Sequence, residues 1–157
     1  MKFLIAALMT CAFASPALAQ ALTADRFEGN DWWLVQPGGA DSWNVISNGQ
    51  PRRSGDSAVL WLVALFSKPQ ANGATGVALS LIVRCTTRTT SRMEPFTLDA
   101  NGDLKHNSTI ASMSGPMSIT SPLYRFACTD DRTLFTHFEQ RDRRAVIAEL
   151  LARNPDK

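Results

Sequence analysis

The 157-residue chain has few of the residues that usually carry catalysis or bind metals: two histidines, three cysteines and one tyrosine. It has no His-Glu-x-x-His, Cys-x-x-Cys, Gly-x-Ser-x-Gly or phosphate-binding Gly-Lys-Ser/Thr motif. A hydrolase needs a base beside a nucleophile and an orienting group. The only histidines after the N-terminal segment, His106 and His137, stand in plain polar contexts. We therefore predict no catalytic residues, no metal site and no cofactor.

Two alternatives stay open at this stage. Carboxylates that are distant in sequence can form a glycosidase-type pair in space. The available ones include Glu28, Asp31, Glu94 and Asp99. A zinc site would have to draw on Cys85, His106, Cys128 and His137. Zinc ligands usually come in closely spaced pairs, which these four residues do not form.

Charge of one sign is also lacking. The chain has 16 Lys and Arg against 14 Asp and Glu, a net charge of +2. This balance argues against a strongly basic nucleic-acid binder and against an acidic disordered tail. With 45% hydrophobic and 19% charged residues, the composition is typical of a globular protein. The most apolar later runs, residues 58–66 and 77–83, have about half the length that a spanning helix needs, so we predict no transmembrane segment.

The N-terminus has the layout of a secretory signal. Lys2 precedes an apolar run, and Ala17-Leu18-Ala19 before Gln20 supplies the small residues of a cleavage site. We predict that residues 1–19 are a signal peptide and that the protein is exported to the periplasm or the outer surface. A lipid anchor at Cys11 is disfavoured because Thr10 is a poor residue before a lipidated cysteine.

Removing the signal leaves two cysteines, Cys85 and Cys128, which lie 43 residues apart. An even pair in an exported chain is most simply a disulfide. A crosslink closing a loop of this length stabilises the fold by about 4 kcal/mol in the chain-entropy treatment.

The mature chain is predicted to be a flexible lead-in over residues 20–30 and a single domain over residues 31–157. Short aromatic and β-branched runs separated by Gly, Pro and Asn predict strands. They cover residues 31–35, 42–46, 57–66, 77–85 and 86–93, and a hairpin joins 96–98 to 104–110 across an Asn-Gly turn. The Ser-, Pro- and Gly-rich residues 112–122 predict a surface crossing.

Two helices complete the prediction. Ser121-Pro122 can start one that runs to about Cys128. Thr136 and Glu139 fit a capping box for a second one, with an apolar stripe and with arginines on or near the opposite side. The stripe is Val146, Ile147, Leu150 and Leu151, and the arginines are Arg141, Arg143 and Arg144. The fold class is α+β: an antiparallel meander of about five or six strands with a C-terminal helix on one face and one disulfide.

The most distinctive polar feature is a row of arginines. Arg84, Arg88 and Arg92 all fall on even positions, so a continuous strand would present them on one face. Such a row could bind an anion or an acidic partner, or it could be a solvated face that keeps the sheet soluble. The four tryptophans fit core and rim packing better than sugar stacking.

Three segments of the chain form a recognisable set: the apolar strand ending in Lys68-Pro69-Gln70, the strand ending in Cys85, and residues 121–128 with the second cysteine. Together they resemble the surface-adhesin protein E-like family of Gram-negative bacteria. The resemblance spans about residues 32–128. It implies an antiparallel sheet with a helix, a Cys85–Cys128 disulfide and export to the envelope.

The functional prediction is an exported cell-envelope protein without catalysis that binds a macromolecule, either a protein or an envelope polysaccharide. A soluble periplasmic accessory or inhibitor domain is the main alternative, and a small hydrolase is a weaker one. The non-alternating strands carry more apolar surface than one helix can cover, which would allow a homodimer.

Overall fold

The computed structural model describes residues 24–38 and 44–153. The predicted signal peptide, residues 1–19, and the lipid-anchor candidate Cys11 lie outside the described residues, so both stay predictions.

The described chain forms eight strands, two α-helices and one short 3-10 helix at Ala24–Phe27. The strands are β1 Asp31–Gln36, β2 Asn44–Asn48, β3 Arg52–Ser54, β4 Ser57–Leu65, β5 Gly76–Arg84, β6 Thr89–Leu98, β7 Leu104–Pro116 and β8 Thr136–Glu139. The helices are α1 Pro122–Cys128 and α2 Arg143–Ala152.

All strand pairs are antiparallel, in the order β7-β6-β5-β4-β2-β1-β8, and β3 also pairs with β4. The predicted α+β class, with its antiparallel sheet, C-terminal helix and disulfide, is confirmed. The strand count exceeds the predicted five or six partly because β3 and β8 are too short and polar to be recognised from hydrophobicity. Among the described residues, no helix has the length and apolar character needed to cross a membrane.

Strands β4 and β5 lack an alternating pattern because both faces of the sheet are buried there. On one face Val63 and Leu65 pack in a core that includes residues of α2 and Phe27. On the other face Leu62 and Ala64 pack in a second core with residues of α1. Helices therefore cover both faces of the sheet around residues 62–65 of β4. Two helices rather than one share the apolar surface on which the sequence based its suggestion of a homodimer, while Ile82 and Met93 on β5 and β6 stay exposed.

The capping-box prediction at Thr136 is wrong, because residues 136–139 form strand β8 on the outer side of β1. Phe138 lies opposite Trp32 in that pairing, and both side chains are buried. Helix α2 begins later, where the side chain of Asp142 accepts a hydrogen bond from the Ala145 N–H. Burying an aromatic ring outweighed a local capping signal of about 1 kcal/mol.

The predicted flexible lead-in is also wrong for its described part, residues 24–30. The Phe27 side chain is buried, with its ring 5.9 Å from that of Trp61 and 5.7 Å from that of Phe96. A single aromatic residue thus anchors this segment to the sheet.

A third correction concerns Arg143, predicted on or near the side of α2 opposite the apolar stripe. Val146, Ile147 and Leu150 are buried as predicted, but Arg143 is buried with them and is only 3% exposed. Its guanidinium donates hydrogen bonds to the carbonyls of Phe27 and Gly102. It therefore ties α2 to the N-terminal segment and to the β6–β7 turn.

The β6–β7 hairpin is confirmed, with Leu98 opposite Leu104. Strand β7 continues through Pro116, so the crossing predicted for residues 112–122 is wrong over its first five residues. Thr, Ser and Met are compatible with an edge strand. The Gly115 and Pro116 that suggested a loop are the last two residues of the strand.

The Cys85 and Cys128 sulfur atoms lie 2.07 Å apart, at disulfide distance, which confirms the predicted pairing. The bridge joins the turn after β5 to the last residue of α1. Beside it, the Tyr124 hydroxyl donates to the Cys85 carbonyl at 3.0 Å. Arg53 donates to the carbonyls of Ala127 and Thr129, which supplies cationic donors at the C-terminal end of α1.

Candidate functional site

Part of the sheet is not covered by either helix. It lies on the same face as α2, beside the area on which α2 packs. We call it the open face, formed by Arg52, Val59, Ile82, Arg84 and Met93. Residues that lie opposite one another in an antiparallel sheet share a face, and here Arg52 is opposite Val59, which is opposite Ile82. Ile82 is 41% exposed and Met93 38% exposed, although both are large and apolar.

A polar cavity of ≈ 390 Å³ adjoins the open face where β2 passes into β3. Trp61, next along β4 on the same face, lines it together with Arg52 and Gln50. The N-terminal 3-10 helix adds Asp25 and Arg26, and the Arg26 guanidinium lies 5.7 Å from the centre of a Trp61 ring. The Trp61 indole N–H is buried and has no acceptor among the described residues.

Three arginines around this region are unpaired within the described chain, and they lie beside a cavity that is also lined by the carboxylates of Asp25, Glu28 and Asp31. Arg26, Arg52 and Arg84 make no ion pair with another described residue. From the strand spacing and the rise per residue, the Cα atoms of Arg52 and Arg84 are about 12 Å apart. The open face therefore combines apolar contact area with unpaired positive charge, a combination suited to binding an acidic partner.

Arg84 also acts on the turn beside it. The hydroxyl and N–H of Thr86 donate to Asp56, and these hydrogen bonds, with the nearby Arg84 charge, hold the pKa of Asp56 below its usual value. Asp56 is thus held as an anion in the turn between β3 and β4, where the charge of Arg84 acts on it without a direct ion pair.

The predicted single-face row of Arg84, Arg88 and Arg92 does not form. Residues 85–88 are a turn rather than a strand, and Arg88 adopts a left-handed backbone conformation with φ of 54°. Arg84 lies opposite Thr89, whereas Arg92 lies opposite Leu81, whose side chain belongs to the other face. Only Arg84 of the predicted row lies on the open face.

Arg92 is engaged on the α1 side of the sheet. Its guanidinium lies 3.3 Å from the carboxylate of Glu94 and contacts the sulfur of Met113 at 2.8 Å. Because its charge is already paired within β6, Arg92 is a poor candidate for capturing an anion.

The histidine closest to a catalytic arrangement is His137, on β8. Its Nε2 lies 2.5 Å from Asp31, its Nδ1 lies 3.4 Å from Glu139, and its ring stacks on Trp33 at 4.1 Å between centroids. Both ring nitrogens face carboxylates, so neither is directed at a hydroxyl or thiol nucleophile in the described chain. The arrangement stabilises the β1–β8 pairing.

Other chemistry has little support in the geometry. His106 lies on β7 with its ring edge-on to Phe96. The cysteines suggested as zinc ligands are joined to each other. Within the described residues, no three His, Cys, Asp or Glu side chains lie close enough to hold a metal ion.

Sequence reasoning missed Arg26 and Arg52 as site residues. Arg26 belonged to a segment predicted to be flexible, and Arg52 to a loop in which no strand was expected. Both reach the cavity because Phe27 docks on the sheet and because β3 pairs with β4. The doublet Arg52-Arg53 beside a Gly-Asp turn was the one available signal.

Comparisons with protein-family models, with curated proteins and with solved structures found no match to this chain.

Proposed function

We propose that the chain is an exported cell-envelope protein without catalytic activity, which binds an acidic macromolecule through its open face. The observation that carries the proposal is the open face itself: exposed Ile82 and Met93 lie among the unpaired cations Arg52 and Arg84. Binding surfaces combine an apolar centre with polar groups that set orientation and on-rate.

Export is supported by the disulfide. Disulfides persist in oxidising compartments such as the periplasm or the cell surface and are rare in the cytosol. The Cys85–Cys128 pair fits that setting, as does the secretory layout of residues 1–19. The resemblance to the surface-adhesin protein E-like family favours the same location and a binding role.

The partner is proposed to be an envelope polysaccharide or the acidic surface of a protein. Such a ligand would lie along β3–β5 beside Arg52 and Arg84. The Trp61 cavity limits it on one side, because the carboxylates of Asp25, Glu28 and Asp31 line that cavity. Because the contacts would be exposed charges, affinity should fall as salt rises.

Charge reversal on the open face tests the proposal. Mature protein is measured for binding to immobilised envelope fractions, acidic polysaccharides and matrix proteins. Arg84→Glu should weaken the observed binding about tenfold, and the double variant with Arg52→Glu should weaken it further. Arg88→Glu is the matched control, because it makes the same charge change in the turn at residues 85–88 rather than on a strand of the open face. Its binding should stay within about twofold of wild type.

Two results would contradict the proposal. One is wild-type protein that binds nothing on any surface, and the other is equal loss in the Arg84 and Arg88 variants. Cell fractionation separates the proposed sites of action. Surface labelling supports adhesion, whereas release from the periplasm without surface labelling favours a periplasmic accessory or inhibitor domain.

A further inference from the structure

One edge of the sheet is a long strand that has a described neighbour on one side only. Strand β7 pairs with β6, whereas the opposite sheet edge, β8, contains only four residues. Residues 111–116 run in regular register opposite residues 94–89 of β6. An edge strand of this kind presents unpaired backbone N–H and C=O groups to any strand that can approach.

The register shows which backbone groups point outward. The Met117 N–H donates to the Arg88 carbonyl at 2.8 Å, so these two residues form a hydrogen-bonded pair. Such pairs alternate along an antiparallel ladder, and Met113 and Gly115 therefore direct their backbone groups toward β6. Ser114, which lies between them, and Ser112, which precedes Met113, direct theirs away from the sheet.

Residues 111–116 carry no charged side chain, one of the usual features that block edge pairing. The register with β6 shifts just before them, between Glu94 and Phe96, so the regular edge begins at residue 111. Residues 111–115 read Ala-Ser-Met-Ser-Gly, without a charge, and Pro116 ends the run. Met113 is 54% exposed. No described atom outside the adjoining chain lies within 4 Å of the point where a Cβ on Gly115 would stand, so the face of the sheet is open at that position.

We propose that two copies of this chain pair antiparallel through β7, with a twofold axis at Met113. The sequence around Met113 is symmetric, since Ser112 and Ser114 flank it. Antiparallel self-pairing sets Ser112 of one copy opposite Ser114 of the other, and each such pair can exchange two hydrogen bonds. The Met113 residues then meet as a non-hydrogen-bonded pair, the geometry that brings side chains closest.

A second copy fits this edge because the register is self-complementary and residues 111–115 carry no charge. The Arg92 guanidinium that contacts each Met113 is itself paired with Glu94. Pairing uses the β7 edge of both copies at once, so the assembly closes as a dimer rather than growing. Residues opposite one another share a face, so both open faces would lie on the same side of the joined sheet. The dimer would thus be bivalent, a consequence that goes beyond the proposed function.

Molar mass by light scattering over a concentration series tests the proposal. Wild type is expected at twice the monomer mass. Ser114→Pro removes an outward N–H that no strand of the same molecule uses, and it should raise the dimer dissociation constant at least about 100-fold. Ser114→Ala is the matched control: it keeps the N–H, loses only the contact with the Ser91 hydroxyl, and should remain dimeric.

Two further measurements keep the test decisive if the proline variant folds poorly. Met113→Lys sets two like charges on the twofold axis and should give monomer, whereas Met113→Gln should not. Amide hydrogen exchange at Ser112 and Ser114 should slow as protein concentration rises, while the amide of Met113 stays unaffected. Monomeric wild type at every concentration, or a dimer unchanged by both Ser114→Pro and Met113→Lys, would overturn the proposal.

Discussion

Replacing Arg143 with alanine should destabilise the fold far more than replacing its neighbour Arg144. The Arg143 guanidinium is buried and donates to the carbonyls of Phe27 and Gly102, at 3.0 Å each. It also lies 2.8 Å from the carboxylate of Glu28, which is 55% exposed. Burial lowers the pKa of Arg143 and the Glu28 charge opposes that effect, but an arginine stays protonated throughout the usual pH range.

The magnitude follows from what the substitution leaves behind. Each carbonyl that loses its buried partner costs about 1–3 kcal/mol, whereas water can replace the partner of the exposed Glu28. For the two carbonyls together the loss is about 2–6 kcal/mol. Arg144 is 65% exposed and pairs with an Asp103 that is 47% exposed, so Arg144→Ala should cost about 1 kcal/mol or less.

Urea unfolding followed by tryptophan fluorescence, at fixed protein concentration, measures both variants. With a slope of about 2 kcal/mol per molar urea, the midpoint should fall by about 2 M for Arg143→Ala and by about 0.5 M or less for Arg144→Ala. Arg143→Lys keeps the charge but not the planar fork, so it should fall between the two. A free energy of unfolding for Arg143→Ala within about 1 kcal/mol of that for Arg144→Ala would refute a stabilising role for the buried Arg143 hydrogen bonds.

Three other perturbations have defined outcomes. Replacing both Cys85 and Cys128 by serine should lower the free energy of unfolding by about 4 kcal/mol. A loss below about 1 kcal/mol in thermal or urea unfolding would contradict a stabilising crosslink. Phe138→Ala should cost about 3–5 kcal/mol in the same assay because the ring is buried against β1, whereas a ring on a solvated helix start would cost little. The backbone N–H of Asp103 donates to Asp99 and is the main cause that holds the pKa of Asp99 below its ordinary 3.8. The Asp99 carboxylate therefore stabilises the fold at pH values above the unfolded-state pKa. This stabilisation is lost as the pH falls through the folded-state pKa. Asp99→Asn should therefore lower stability at pH 7 and flatten the acid limb below about pH 4; an unchanged acid limb in a pH series would count against it.

The fold class was predictable because its signals lie within short stretches of sequence. Strands β4 and β5 are continuous apolar runs, the Asn-Gly turn marks the β6–β7 hairpin, and Ser121-Pro122 marks the start of α1. The disulfide followed from cysteine count and presumed export alone.

The errors arose where tertiary contacts override local pattern. Thr136 and Glu139 carry a helix-start signal, yet pairing with β1 and burial of Phe138 give a strand. Arg143 looked solvated by charge alone, since the carbonyls that bind it come from residues 116 and 41 positions away in the chain. Long-range partners of this kind leave no periodic trace in a sequence.

The candidate site was the least predictable part. The arginine row assumed one uninterrupted strand, but a four-residue turn at 85–88 reverses the chain and sends Arg84 and Arg92 to opposite faces. A turn, or a one-residue change in register, moves the following side chains to the opposite face of the sheet. The alternation of side chains in the sequence does not show where such a change occurs. The cavity depends on Phe27 and Trp61 meeting across 34 residues of sequence.

Export and a covalent crosslink between Cys85 and Cys128 are the central properties proposed for this domain. The most direct test is peptide mapping by mass spectrometry, without reduction, of native protein isolated from cells with its free thiols blocked. We expect a polypeptide that begins at Gln20 and yields a single linked peptide containing Cys85 and Cys128. Blocked thiols at both cysteines, or a native chain that still begins at Met1 in the cytosol, would contradict this expectation.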